Sequence, residues 1–136
     1  MSHKPAYLIA GGDWPKVEAA AARLRSQFPD EAVEQLTAGE EIGDEIVAAC
    51  NSLGLLGGER LVLVRGAEAL TAEQTASIAA YLTDPTPDTC LALFGGEGVA
   101  HDGSLATAVA KVGDVRFFEP PDEKEAARWV IKRFGE

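Results

Sequence analysis

The fold class of this chain is decided by residues 61–96, which read LVLVRGAEALTAEQTASIAAYLTDPTPDTCLALFGG. The apolar runs Leu61–Val64 and Cys90–Phe94 are predicted to be strands, and the first is the clearest strand signal in the sequence. Between them, residues 71–74 (TAEQ) match the capping box that opens an amphipathic helix, and prolines end that helix. A strand, a helix and a second strand in this order are typical of a parallel βαβ unit.

The same alternation extends to both sides of this unit. Helical stripes begin near Asp13, Ile42 and Ser104, and a last one follows Asp122. Asp13 can cap the first of these helices. Further strands are predicted at Ala6–Ala10, Ala32–Leu36 and Val115–Phe118. The sequence therefore predicts an α/β fold with three layers, in which a five-stranded parallel sheet has helices on both faces.

Composition restricts the function classes. The chain has 136 residues, 46% of them hydrophobic, which is enough for one domain with a core, and its net charge is −10. Because nucleic-acid binding depends on basic residues that neutralise phosphates, this charge argues against autonomous DNA or RNA binding, and equally against anionic lipid. No apolar stretch approaches the roughly 20 residues that span a bilayer, and no signal peptide is visible, so we expect a cytoplasmic protein. Cys50 and Cys90 lie in apolar segments and are predicted to be buried, reduced thiols.

The loop after the first strand is where a nucleotide-binding fold would carry its phosphate site. A phosphate-binding loop needs G-x-x-x-x-G-K-[ST], but residues 11–17 read GGDWPKV. This loop is too short, it has a carboxylate where phosphate would lie, and its proline lacks an amide donor. Gly11 and Gly12 are therefore interpreted as a strand-to-helix turn.

Other candidate chemistry is equally sparse. The third strand ends in Arg65-Gly66 where a metal site would need acidic residues, and Glu68 is predicted to lie in a solvated turn. His101, Asp102 and Ser104 are close in sequence, which is typical of a loop, whereas the members of a catalytic triad come from separate elements. The sequence predicts no catalytic residue, no metal site and no cofactor.

One connection has an unusual composition. Residues 51–60 read NSLGLLGGER, with leucines among glycines where turns usually carry polar residues. Leu55 and Leu56 can fold back over the core, or they can project as apolar anchors for a partner protein, each contributing about 1.5–3 kcal/mol on burial. The residues alone leave both interpretations open.

Four segments in order carry a resemblance to a known family. They are YLIAGGD (7–13), NSLGLLGGERLVLVRGAEALT (51–71), YLTDPTPDTCLALFGGE (81–97) and ARWVIKRF (127–134). Together they resemble the N-terminal domain of the delta subunit of the bacterial DNA polymerase III clamp loader. The resemblance implies an AAA+/RecA-like core domain with a degenerate nucleotide site over residues 1–121. It also implies a helix over 122–136 that leads toward a lid domain outside this chain.

The resemblance also implies a partner and a site. In that family, apolar residues at the end of a helix enter a cleft on the β sliding clamp and help to open the ring or hold it open during DNA replication. Leu53, Leu55 and Leu56 match the three apolar positions of the family motif, while Gly54 replaces a serine and Leu56 replaces an aromatic residue. The implied protein has no intrinsic enzymatic activity, contacts other clamp-loader subunits through domains outside this chain, and meets DNA only indirectly.

Two rival interpretations stay open at this point. The chain could be a small α/β nucleotide-binding protein or enzyme with an atypical loop at Gly11–Asp13. It could also be a structural pseudo-domain whose contacts are all intramolecular.

Overall fold

The computed structural model describes residues 4–39, 45–51 and 58–120. In this part of the chain five parallel strands form one sheet in the order β2-β3-β4-β1-β5. The predicted five-stranded parallel sheet is therefore confirmed. The strands are β1 (Ala6–Ala10), β2 (Val33–Thr37), β3 (Arg60–Arg65), β4 (Thr89–Gly95) and β5 (Asp114–Phe117). The helices are α1 (Trp14–Arg25), α2 (Glu45–Asn51), α3 (Ala72–Tyr81) and α4 (Ser104–Val112), with short 3-10 turns at Asp30–Ala32 and Ala67–Ala69.

The helices divide unequally between the two faces of the sheet. From β1 the chain crosses β4 and β3 to reach the edge strand β2, and from there it steps back through β3 and β4 toward β5. Because parallel crossovers are right-handed, this reversal of direction places α1 on one face and α2, α3 and α4 on the other. The buried side chains of α1 accordingly belong to a different core cluster from those of the other three helices.

Alternation along the strands feeds both core clusters. In β3, Leu61 and Leu63 pack toward α1, while Val62 and Val64 pack toward the other three helices. All seven residues of β4 are buried, because this strand lies at the centre of the sheet. Burial on both faces is the physical reason why these strands appear in the sequence as continuous apolar runs.

The two predicted helix caps have different outcomes. At α3 the capping box is confirmed, since the Gln74 amide donates to Thr71 Oγ1 at 3.0 Å and the Thr71 amide donates to Gln74 Oε1 at 2.9 Å. At α1 the predicted N-cap residue is confirmed, but its side chain makes no capping hydrogen bond. Asp13 is the N-cap residue, but its carboxylate does not cap the helix and instead lies 3.7 Å from Lys16 Nζ.

Both cysteines are free and buried, as predicted. They lie in different cores, because Cys50 on α2 packs in the three-helix face and Cys90 on β4 packs in the α1 face. Burial raises the pKa of each thiol to about 12. Neither thiol has the depressed pKa and exposure that a reactive cysteine requires. The predicted last helix from Asp122 lies outside the described residues.

Candidate functional site

The turn after β1 lies at the carboxyl edge of the sheet, the edge where ligands bind in folds of this type. Gly11 has φ +131°, a backbone conformation that residues with a side chain rarely adopt. A Cβ at this position would lie 2.3 Å from the carbonyl oxygen of Phe118. The turn therefore packs directly against the chain that follows β5, and glycine is required for this close approach.

The backbone amides of this turn, which a phosphate-binding loop would direct at its ligand, all donate within the protein. The amides of the first three residues donate to residues at or just after the carboxyl ends of β4 and β5, the two strands that flank β1. The pairs are Gly11 N to Gly95 O at 3.2 Å, Gly12 N to Glu119 Oε2 at 3.1 Å and Asp13 N to Phe118 O at 2.8 Å.

The amides of the following helical turn are satisfied locally. Trp14 N donates to Gly12 O at 3.0 Å, and the amides of Lys16 and Val17 both donate to Asp13 O at 3.1 Å. Pro15 has no amide hydrogen. A phosphate bound in this turn would have to displace existing hydrogen bonds, whereas a phosphate-binding loop presents its amides free.

Glu119 is the central side chain of this edge. Its Oε2 accepts the Gly12 amide and its Oε1 lies 3.0 Å from Nε2 of His101, whose ring stacks on Phe117 with centroids 3.9 Å apart. The hydrogen bond from the Gly12 amide, and secondly that from His101, lower the pKa of Glu119 below its ordinary value. An ionised carboxylate therefore lies where a nucleotide fold would place a phosphate oxygen.

A second carboxylate has a similar role at the neighbouring strand. Glu68 lies in the exposed turn after β3, as predicted, and its Oε1 also accepts the Gly96 amide at 2.8 Å. The carboxylate of Glu97 adds a further negative charge close to the first turn, since its Oε2 would lie 3.1 Å from a Cβ at Gly12. These acidic side chains make the carboxyl edge electrostatically unfavourable for a phosphate.

At the carboxyl end of β3, the side chain is likewise bonded within the protein. Arg65, at the position where a metal site would need a carboxylate, donates through Nη1 to Glu18 Oε1 on α1. Among residues 4–39, 45–51 and 58–120, no three histidine, cysteine or acidic side chains lie close enough together to form a metal site. Sequence reasoning missed the contacts of His101 and Glu119, because the two residues are 18 positions apart and Glu119 is 107 positions from Gly12.

The connection between α2 and β3, residues 52–59, is here called the leucine-glycine segment. The residues on either side of it lie at the amino edge of the sheet, at the other end of the strands. The predicted site residues Leu53, Leu55 and Leu56 lie outside the described residues. Their flanks are α2, which ends at Asn51, and β3, which begins at Arg60. Asn51 Oδ1 accepts a hydrogen bond from Thr86 Oγ1 at 2.8 Å, and Arg60 Nη1 donates to the carbonyl oxygen of Ala49 at 3.1 Å.

The strand order and the internally bonded turn after β1 define a class of protein. It is an AAA+-like α/β domain in which carbonyl oxygens and a carboxylate of the protein itself accept the hydrogen bonds that this turn would otherwise give to a phosphate. A family comparison then identifies the particular group. The model of the DNA polymerase III delta subunit family matches residues 7–107, and the chain belongs to this family.

Solved structures share the fold. The Bacillus subtilis DNA clamp loader delta protein (YqeN) superposes with a TM-score of 0.74 at 19% identity, over 96% of this chain and 42% of that one. A DNA polymerase III gamma subunit-related protein from Thermotoga maritima superposes with a TM-score of 0.63 at 17% identity, over 96% of this chain and 46% of that one. The chain thus spans less than half the length of either protein. Comparison with curated protein sequences gave no match. None of the helices in the described residues has the length and apolarity needed to cross a bilayer.

Proposed function

We propose that this chain is the clamp-binding part of a clamp-loader delta subunit. It binds the β sliding clamp through Leu53, Leu55 and Leu56, and this binding helps to open the ring or hold it open while the clamp is placed around DNA. The membership of residues 7–107 in the DNA polymerase III delta subunit family is the observation that carries the proposal. The three leucines take the apolar positions of the motif that the segment resembles, and Gly58-Glu59-Arg60 follow shortly after them.

The closed carboxyl edge supports a role without nucleotide chemistry. Since the amides of the Gly11–Val17 turn already donate to protein acceptors, this domain would use no cofactor and would rely on neighbouring ATPase subunits for energy. Its net charge of −10 favours an indirect relation to DNA, through the clamp and the other subunits.

The remaining organisation follows from the same proposal. Residues 1–121 would form the AAA+-like domain, and residues 122–136 would lead toward a lid. As the family resemblance implies, contacts with the other loader subunits would be made through domains outside this chain. A role in bacterial DNA replication would make it a cytoplasmic protein.

A titration of the chain against the sliding clamp of the same organism tests the proposal. A double variant with Leu55→Ala and Leu56→Ala should bind the clamp more than about 100-fold more weakly, since each buried leucine contributes about 1.5–3 kcal/mol. Trp14→Ala is the matched control, because it removes an apolar side chain that is 44% exposed at the opposite edge of the sheet. The control should bind as the wild type does. A folded double variant with wild-type affinity would exclude Leu55 and Leu56 as the contact.

A further inference from the structure

The side chain of Arg60 connects three elements at the amino edge of the sheet. Its Nη1 donates to the carbonyl oxygen of Ala49 on α2 at 3.1 Å, and its Nη2 lies 3.8 Å from Glu34 Oε1 on β2. Arg60 itself is the first residue of β3. Its side chain is only 14% exposed, whereas that of Glu34 is 45% exposed. The hydrogen bond to Ala49 is therefore the better shielded of the two contacts, and it is charge-assisted.

This hydrogen bond lies at a sensitive point of the chain. The last carbonyls of a helix have no partner within the helix, and a cation near them is favourable. Ala49 is two residues before Asn51, where α2 ends, and the leucine-glycine segment starts directly afterwards. The Arg60 guanidinium thus attaches the last turn of α2 to the first residue of β3, on both sides of residues 52–57.

The same framework receives a second attachment from the loop before β4. The Arg60 amide donates to Asp88 O at 2.8 Å, and Thr86 Oγ1 donates to Asn51 Oδ1 at 2.8 Å. The Thr86 amide in turn donates to the hydroxyl of Tyr81 at 3.1 Å. Asn51 before segment 52–57 and Arg60 after it are therefore both bonded to the loop that precedes β4. Arg60 is bonded to α2 as well.

We propose that Arg60 is a positioning residue for the clamp-binding segment. By determining where the last turn of α2 lies relative to β3, it determines how the chain enters and leaves residues 52–57, and hence how Leu53, Leu55 and Leu56 are presented. The inference rests on the proposed function for the identity of the partner, but not for the attachment itself. A lysine would keep the charge at this position and lose the planar fork that reaches Ala49 and Glu34 together.

The experiment combines clamp titration with amide hydrogen exchange, using Arg60→Gln and Arg60→Lys. Arg60→Gln should speed exchange in a peptide that covers residues 45–57 and weaken clamp binding by roughly three- to tenfold, because a released helix end is less pre-organised. Arg60→Lys should have a smaller effect on both measurements. In a Leu55→Ala background, whose residual binding is still measurable, the Arg60→Gln effect on affinity should largely disappear, because the two residues act through the same contact.

The matched control is Arg65→Gln, which removes a second arginine-glutamate pair, at the opposite end of β3. It should leave both exchange in residues 45–57 and clamp affinity at wild-type values. Unchanged exchange in these residues in folded Arg60→Gln would overturn the inference, and so would an affinity loss that adds fully to that of Leu55→Ala. If Arg60→Gln does not fold, Arg60→Lys is judged by the same criteria. If the wild type does not bind the clamp, the proposed function fails, and faster exchange in Arg60→Gln still supports the attachment.

Discussion

The carboxylate of Glu119 accepts a hydrogen bond from the backbone amide of Gly12 at 3.1 Å, joining the chain after the edge strand β5 to the turn after the inner strand β1. In a nucleotide-binding fold the amides of this turn meet a phosphate. Here an internal anion occupies that position, and His101 supports it from the other side at 3.0 Å. In a turn without the phosphate-binding motif, this contact thus satisfies the Gly12 backbone donor from within the protein.

This contact predicts a specific pH dependence of stability. Since the folded-state pKa of Glu119 is lowered, its carboxylate contributes stability that is present above the unfolded pKa and lost as the pH falls through the folded pKa. The melting temperature of the wild type should exceed that of Glu119→Gln at neutral pH, and the difference should vanish in acid. Thermal melts of both proteins from pH 7 downward measure this.

The relative size of the two causes that lower the Glu119 pKa can be checked separately. The Gly12 amide is the larger cause and His101 the second, so the pKa of Glu119 should stay below its ordinary value in His101→Gln. Titration by NMR gives this pKa directly. A return to the ordinary value in His101→Gln would show that the Gly12 hydrogen bond is not the main cause.

Nucleotide should not stabilise the protein. A ligand present at 100 times its Kd stabilises the folded state by about 2.7 kcal/mol, which raises the melting temperature of a domain of this size by roughly 10 °C. With the turn amides already bonded, we expect no rise with millimolar Mg-ATP or Mg-ADP. Thermal-shift measurements with and without nucleotide decide the point. A dose-dependent rise would favour the rival interpretation, a nucleotide-binding protein with an atypical loop at Gly11–Asp13.

The two helix N-caps should respond differently to the same substitution. Thr71→Ala removes the hydroxyl that accepts the Gln74 backbone amide in a complete capping box, and it should lower the free energy of unfolding by about 1 kcal/mol. Asp13→Ala removes an N-cap side chain that makes no capping bond, so its effect should stay within about 0.5 kcal/mol. Urea unfolding at a constant m-value measures both. Equal losses would contradict the assignment of the caps.

Local sequence patterns predicted much of the fold for identifiable reasons. The doubly buried strands β3 and β4 appear as unbroken apolar runs because both of their faces are covered, and Thr71 with Gln74 forms a cap from residues only three positions apart. Local reasoning also predicted Asp13 as the N-cap of α1, and it is the N-cap residue. Its surroundings were not predicted, since the carboxylate lies near Lys16 and the Asp13 amide bonds to Phe118, a partner more than a hundred residues away.

The sequence by itself determined the five strands, the burial of Cys50 and Cys90, and the missing phosphate-loop residues, because each depends on neighbours along the chain. The clamp-binding role of Leu53, Leu55 and Leu56 stays a prediction from the family resemblance. Only the tertiary structure decided the strand order, the unequal division of helices between the faces, and the contacts of Glu119 and Arg60. These join residues that are far apart in the chain, and such pairings arise from the packing of the sheet, which no local periodicity encodes.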